Sequence, residues 1–171
     1  MRICTEDFKP TDAESKFFSN WTFELSNFQK WAIRAILSKN HALITAHTGS
    51  GKTLPAEAVI LFYKSLGKKV IYTSPIKALT NQKFYDFSKE FPNITFGILT
   101  GDNKYNPEAD VLLMTAEILR NTLFQKKMIS AGKEEQKSLL NFDIDFDNDL
   151  GCVIMDEAHY INDKEDRKSV V

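Results

Sequence analysis

The chain has 171 residues, 43% hydrophobic and 26% charged, with 22 basic and 23 acidic side chains and a formal net charge of −1. That length suits one domain whose core needs no disulfide staples, and the balanced charge excludes bulk attraction to nucleic acid, so any such contact must be local. Two cysteines make no disulfide framework, no apolar run reaches the roughly 18 residues of a membrane span, and the N-terminus lacks a secretory signal's apolar stretch, so the expectation is an intracellular protein, cytoplasmic or nuclear, with no membrane partner.

Residues 1–20 are polar, carry Pro10 and show little periodicity, which predicts an N-terminal leader, loose or draped on the surface. A helix is predicted from Ser26. Ser26 and Gln29 fit a capping box, and Trp31, Ile33, Ala35, Ile36 and Leu37 supply its buried side. The apolar run 42–46 reads as a buried strand leading straight into A-H-T-G-S-G-K-T, residues 46–53. A helix follows over 53–66, with Pro55 in its first turn, where a missing N–H does no harm, and Gly67 as its stop. Further strands are predicted at 70–74, 94–100, 111–115 and 152–155, and helices at 77–91 and 116–125. Strands alternating with helices, apolar on both sides, define an α/β fold: a mostly parallel sheet with helices on both faces. Ligands in such folds bind at the carboxyl ends of the strands.

Residues 126–150 break the rhythm and read as an insertion. Within it, 133–140 predicts a short polar helix. Over 141–149, Phe142, Ile144 and Phe146 alternate with Asp143, Asp145 and Asp147, the pattern of a half-buried strand or an acidic-faced insertion. A cation site there is disfavoured, because alternate carboxylates on a strand are spaced beyond one ion's coordination shell.

Residues 46–53 match a phosphate loop. A triphosphate needs several backbone N–H groups aimed at it, which Gly49 and Gly51 permit by close approach and positive φ, and the following helix offers its positive end. Lys52 can reach the β and γ phosphates, and the Thr53 hydroxyl can ligate Mg²⁺. Ala46 stands where the usual pattern has glycine; His47, Thr48 and Ser50 complete the loop. V-I-M-D-E ends a strand in two carboxylates. Asp156 is placed to hold Mg²⁺ and Glu157 to polarise the attacking water. His159 reads as a coupling residue that hydrogen-bonds to a second domain. Gln29 has two compatible readings: closure of the cap, or recognition of an adenine edge by an amide that both donates and accepts. Phe23 or Phe28 can pack on a base, with core packing the expected fate of both.

S-P-I-K-A-L (74–79), T-G-D (100–102) and M-T-A-E (114–117) each read as joining a strand to a helix and offer hydroxyls, N–H groups or a helix N-terminus. Such groups grip a nucleic-acid backbone without reading bases. Lys77, Lys83, Lys104 and Arg120 add charge.

Together F-E-L-S-N-F-Q (23–29), A-H-T-G-S-G-K-T, Y-T-S-P-I-K-A-L-T-N-Q-K (72–83), L-T-G-D, L-L-M-T-A-E-I-L-R (112–120) and V-I-M-D-E-A-H-Y (153–160) resemble superfamily-two DExH helicases. The likeness is strongest to the superkiller and exosome-cofactor branch of RNA helicases and covers residues 21–163. It implies a RecA-like P-loop ATPase domain, with ATP and Mg²⁺ as cofactors, in a motor that moves 3′ to 5′ along single-stranded RNA and feeds an exosome-type degradation complex. Gln29 would contact adenine, Lys52, Thr53, Asp156 and Glu157 would run hydrolysis, and Pro75, Lys77, Thr100, Gly101, Thr115 and Glu117 would contact or shape the RNA path. Such motors place ATP between two RecA-like domains, the second supplying arginines to the transition state. The chain stops just past D-E-A-H-Y-I-N-D-K, and residues 164–171 depart from the pattern expected there. The expectation is therefore a first domain alone, with a non-native or disordered tail and little activity by itself. Two other readings remain: a DNA helicase or translocase motor, since only the 2′-OH separates the sugars, and a non-catalytic nucleotide- or RNA-binding module.

Overall fold

The computed structural model describes residues 6–47, 49–130 and 144–162. Thr48, the polar helix expected at 133–140 and the tail at 164–171 lie outside the described residues. The sequence reads as one domain over 21–163, whereas the chain divides into two compact units, Met1–Phe62 and Tyr63–Val171.

In the first unit the leader is packed over residues 8–18 and not loose. Helix α1, Asp12–Phe18, opens on a capping box between Thr11 and Glu14. Phe8 is buried and packs edge-on to Trp31 (5.1 Å between centroids), with the Arg34 guanidinium 4.0 Å above its ring. Arg34 also holds the buried Glu14 carboxylate with both oxygens engaged, Nε to Oε1 at 2.5 Å and an Nη to Oε2 at 2.7 Å. The segment is therefore pinned by an aromatic pair and a forked ion pair. Helix α2, Asn27–Leu37, buries Gln29, Ala32, Ile33 and Ile36, one stripe at helical spacing. Ala32 joins that stripe in place of Ala35 and Leu37, which are half-buried, as is Trp31. Residues 42–46 form no strand, and Leu43 is 80% exposed. Helix α3, Leu54–Ser65, then buries Leu54, Pro55, Ala56, Ala58, Val59 and Ile60.

The Arg34 guanidinium, ahead of the Thr11 contacts, holds the Glu14 carboxyl down from its ordinary 4.5 to about 2. A depressed folded-state value stabilises the fold above the unfolded value, and that contribution disappears as pH falls from 4.5 towards 2. Glu14→Gln is expected to cost about 1.5–3 kcal/mol at neutral pH, the worth of charged hydrogen bonds, and to flatten the acid limb of a pH series of urea-unfolding curves. Equal acid slopes in both proteins would refute the assignment.

In the second unit Gly67 (φ +66°) ends α3, with the Lys68 N–H returning to the Tyr63 carbonyl at 2.9 Å. Five strands follow, β1 Lys69–Ser74, β2 Phe96–Leu99, β3 Lys104–Tyr105, β4 Val111–Thr115 and β5 Leu150–Met155, in the sheet order β3-β2-β4-β1-β5. β1, β2, β4 and β5 are parallel, and only β3 runs antiparallel to β2. Every position of β2 and β4 is buried, and in β1 all but Lys69, so both faces are covered, as all-apolar parallel strands require. β5 departs from that expectation, because Val153 and Met155 are exposed. Helices α4, Lys77–Glu90, and α5, Ala116–Ser130, pack on the sheet. Ile71, Leu99, Leu112, Met114, Ile118, Leu119 and Ile144 make one core cluster, with Phe146 and Leu150 against it.

The predicted alternation over 144–147 holds in burial but not in backbone. Ile144 is buried and Asp145 and Asp147 are exposed, yet the chain turns here instead of forming a strand. Asp145 accepts from the N–H groups of Asp147 and Asn148, and a side-chain-closed turn of that kind competes with an extended ladder. Lys126 of α5 donates to the Ile144 carbonyl and lies 4.3 Å over the Phe146 ring.

Candidate functional site

In the first unit the phosphate-loop residues leave an extended segment and enter α3. Gly49 and Gly51 take φ +82° and +83°, the left-handed region that makes glycine the fitting residue at both. A Cβ on Gly49 would meet nothing within 4 Å, whereas one on Gly51 would sit 2.6 Å from the Gln29 Nε2. Ser50 turns back on His47, its N–H and hydroxyl donating to the His47 carbonyl at 3.3 and 2.7 Å. Lys52 and Gly49 are exposed, and Ala46 and Thr53 are half-buried. Two positive-φ glycines let the loop backbone approach a phosphate ester closely, whereas at the start of α3 the Leu54 and Ala56 N–H groups already donate to the Gly51 and Thr53 carbonyls at 3.3 and 2.9 Å.

Gln29 is buried, and both ends of its amide are engaged. Oε1 accepts from the Ser26 N–H at 2.9 Å, which closes the predicted cap, and Nε2 donates to the Gly51 carbonyl at 3.1 Å. The residue thus ties the start of α2 to the phosphate loop. The expectation that Phe23 packs into a core is corrected: it is 58% exposed, while Phe28 is half-buried.

In the second unit Asp156 follows directly on β5. Its N–H donates to the Thr73 carbonyl at 2.9 Å, which extends the β1–β5 ladder by one step. Its carboxylate accepts from the Tyr72 hydroxyl at Oδ2 and from the Glu157 N–H at Oδ1, the latter at 3.0 Å. Burial, and then the contact with Asp156, hold the Tyr72 phenol far above its usual pKa. Glu157 sits at φ +50°, a strained conformation for a residue with a side chain and one that collects at functional turns. The Glu157 Oε2 lies 3.2 Å from the His159 Nδ1, so His159 turns onto its neighbouring carboxylate, with the Tyr160 ring tilted against it at 4.7 Å. The Asp156 carboxylate is a hard oxygen donor suited to Mg²⁺, and with two hydrogen bonds it keeps lone pairs for an ion or its waters.

An open pocket of about 540 Å³ lies past β1, β2 and β4, lined by Pro75, Ile76, Lys77, Gly101, Thr115, Glu117, Ile118 and Asn121. Five of the six residues expected on a nucleic-acid path are therefore brought together. The sixth, Thr100, is buried. Its hydroxyl donates to the Asp102 Oδ1 at 2.9 Å, so it shapes the loop from beneath. Ile76, Ile118 and Asn121 were missed by the sequence reading; Asn121 lies one turn beyond Glu117 and so shares its face of α5. Lys77 pairs with Asp102 at 3.0 Å, and this contact, with the Thr100 hydroxyl, holds the Asp102 carboxyl below its usual range. Of the other cations expected to add charge, Lys83 lies 5.8 Å over the Phe87 ring and Arg120 reaches the Asn121 Oδ1 at 3.3 Å.

A positive-φ glycine loop feeding a helix, and a parallel strand that ends in adjacent carboxylates, define the class of P-loop nucleoside triphosphatases of RecA-like fold. Helicase Lhr of Mycobacterium smegmatis, solved with single-stranded DNA and AMP-PNP, shares that fold at a TM-score of 0.58 and 24% identity over 88% of this chain and 20% of its own. The chain belongs to the DEAD/DEAH box helicase family, which residues 26–171 match. It is 40% identical over 146 residues to the antiviral helicase SKI2 of Saccharomyces cerevisiae, covering 85% of this chain and 10% of that protein. It is 37% identical over 161 residues to the human exosome RNA helicase MTR4, covering 94% of this chain and 14% of that one. The chain thus spans between a tenth and a seventh of the length of these relatives. Among the described residues, no helix is long and apolar enough to cross a membrane.

Proposed function

We propose that this chain is the first ATP-binding half of an ATP-driven RNA helicase. Mg²⁺-ATP is held by the phosphate loop, with Lys52 on the β and γ phosphates and Thr53 and Asp156 toward the metal. Glu157 orients the attacking water, and Gln29 and Phe23 flank the base. The phosphates of single-stranded RNA run past Pro75, Lys77, Gly101, Thr115 and Glu117, with Thr100 shaping that path. His159 passes the state of Glu157 to a second RecA-like domain, whose arginines complete the transition state. The whole protein moves 3′ to 5′ in RNA processing or decay, in an intracellular compartment, with an exosome-type complex as partner.

One observation carries this reading: Asp156, Glu157 and the pocket lined by Lys77, Gly101 and Thr115 all leave the same carboxyl edge of one parallel sheet. Hydrolytic and backbone-gripping groups mounted on common strands can move together. The test is a chimera in which residues 26–162 replace the matching segment of the yeast SKI2 relative. ATP hydrolysis by that chimera is expected to rise with single-stranded RNA and much less with DNA of equal length. Equal stimulation by both favours a DNA-tolerant translocase, and none by either favours a binding module.

The Lys77–Asp102 pair adds a smaller prediction. Both side chains are more than half exposed, so their mutual attraction is weak and screened by salt. Asp102→Asn leaves Lys77 free for a phosphate. Affinity for labelled oligouridine is expected to rise about 1.4- to 5-fold by fluorescence anisotropy, with a steeper salt dependence. Weaker binding would place Asp102 among the gripping groups instead.

A further inference from the structure

Tyr72 is a buried tyrosine in the middle of β1, and it belongs to no part of the phosphate loop, the carboxylate pair or the RNA path. Parallel register sets Tyr72 opposite Ile154, so Asp156, two residues on, projects from the same face of the sheet one step along the neighbouring strand. A diagonal neighbour of that kind is within reach of a long aromatic side chain. The Tyr72 hydroxyl donates to the Asp156 Oδ2, while the Glu157 N–H takes Oδ1. The ring is itself clamped. Phe87 of α4 meets it edge-on at 5.4 Å, and its flanking residues are paired to β4 on one side and β5 on the other.

We propose that Tyr72 is a positioning residue for the metal: its hydroxyl fixes the Asp156 carboxylate in the one orientation that presents its remaining lone pairs to Mg²⁺ or to the ion's waters. The proposal rests on reading Asp156 as a Mg²⁺ residue. A phenol has one proton to donate, and with the ring locked in the sheet it has two in-plane orientations, of which Asp156 Oδ2 takes one. Asp156 stands at a strand end beside a strained Glu157, and neither neighbour restrains its Oδ2. Loss of a hydrogen-bond donor behind a metal-binding carboxylate typically lowers metal affinity about 10- to 100-fold. A merely structural tyrosine would lower stability and leave the metal alone.

Tyr72→Phe keeps the ring and removes only the hydroxyl. The probe is mant-ADP, titrated with Mg²⁺ and read by fluorescence in the 171-residue chain, with Lys52→Ala and Asp156→Asn as references. For Tyr72→Phe, unchanged metal-free affinity is expected, with the Mg²⁺ midpoint raised about tenfold or more. Adding Tyr72→Phe to Asp156→Asn is expected to raise it no further. A Tyr72→Phe midpoint equal to wild type overturns the proposal and leaves the site reading standing. Wild-type behaviour in both Lys52→Ala and Asp156→Asn overturns the site reading and the proposal with it. Should the phenylalanine variant lose its native circular dichroism, the unmutated chain still decides. Its Tyr72 hydroxyl proton is expected downfield in the NMR spectrum and to move with Mg²⁺-ADP but not with ADP in EDTA. A resonance indifferent to the metal overturns the positioning role.

Discussion

Lys52→Ala in the yeast chimera is expected to lower RNA-stimulated ATP hydrolysis about 100- to 1000-fold. That is the scale seen when one preorganised donor is withdrawn from a developing anion. The residue follows two positive-φ glycines and precedes α3, so its ammonium adds a mobile charge to a loop whose other donors are fixed backbone groups. It is exposed, so its removal leaves no cavity and no buried unpaired group. Folding stability should accordingly change by no more than the roughly ±0.5 kcal/mol usual for surface substitutions. The expected signature is lost catalysis with retained fold, measured by phosphate release and circular dichroism on the same sample. Hydrolysis within threefold of the parent chimera would remove Lys52 from the site and take the motor reading with it. Lys52→Arg separates charge from shape. A planar guanidinium keeps the charge but not the compact ammonium, so only partial rescue is expected.

The strands β1, β4 and β5 were legible because each is an apolar run bounded by turn residues, and so were α2, from its Ser26–Gln29 cap, and α3, from its Gly67 stop. Residues 42–46 carry as strong an apolar signal as β4 but form no strand. A strand is defined by its ladder, and composition supplies no partner. β3 escaped detection for the opposite reason. Two exposed residues have no period, and their pairing follows from the turn closed by the Thr100 N–H on the Asn103 carbonyl. The packing of α1 was open to inference, since Thr11 and Glu14 have the same spacing as the cap identified at Ser26 and Gln29. What hid it was the polarity of the surrounding residues, which outweighed three phenylalanines at positions 8, 17 and 18.

At the site, local chemistry was legible and distant contacts were not. The glycine conformations follow from sequence because only glycine takes φ near +80° without cost. Gln29 showed its cap but not its bond to the Gly51 carbonyl, 22 residues away. Tyr72 and Asp156 are 84 residues apart, and nothing in either segment announces the pair. It emerges only when the β1–β5 register is known, because register decides which side chains share a face. The six residues assigned to the nucleic-acid path came from resemblance, and geometry then separates them: five line the pocket and Thr100 lies beneath.

Phe87→Ala is expected to be the most destabilising single change in the second unit, at about 3–5 kcal/mol, typical for emptying a buried phenylalanine site. Phe87 is 1% exposed and sits among three aromatic rings: Tyr72 edge-on, Phe96 stacked at 6.2 Å, and Phe91 at 6.4 Å. Removing it opens a void between α4 and two strands, and rings held in place by β1 and β2 cannot collapse to fill it. Against a typical domain stability of about 5–15 kcal/mol, that loss is a large fraction. Urea unfolding followed by circular dichroism is expected to show the midpoint lower by about 1–5 M at a slope of about 1–3 kcal/mol/M. Phe87→Leu, which refills most of the volume, is expected to recover more than half of the loss. The same void frees one side of the Tyr72 ring, so Phe87→Ala should also blur the Mg²⁺ dependence of mant-ADP binding at temperatures where the unit remains folded. A midpoint shift under 0.3 M, about 0.5 kcal/mol at typical slopes, would show that the aromatic cluster is not what holds α4 to the sheet.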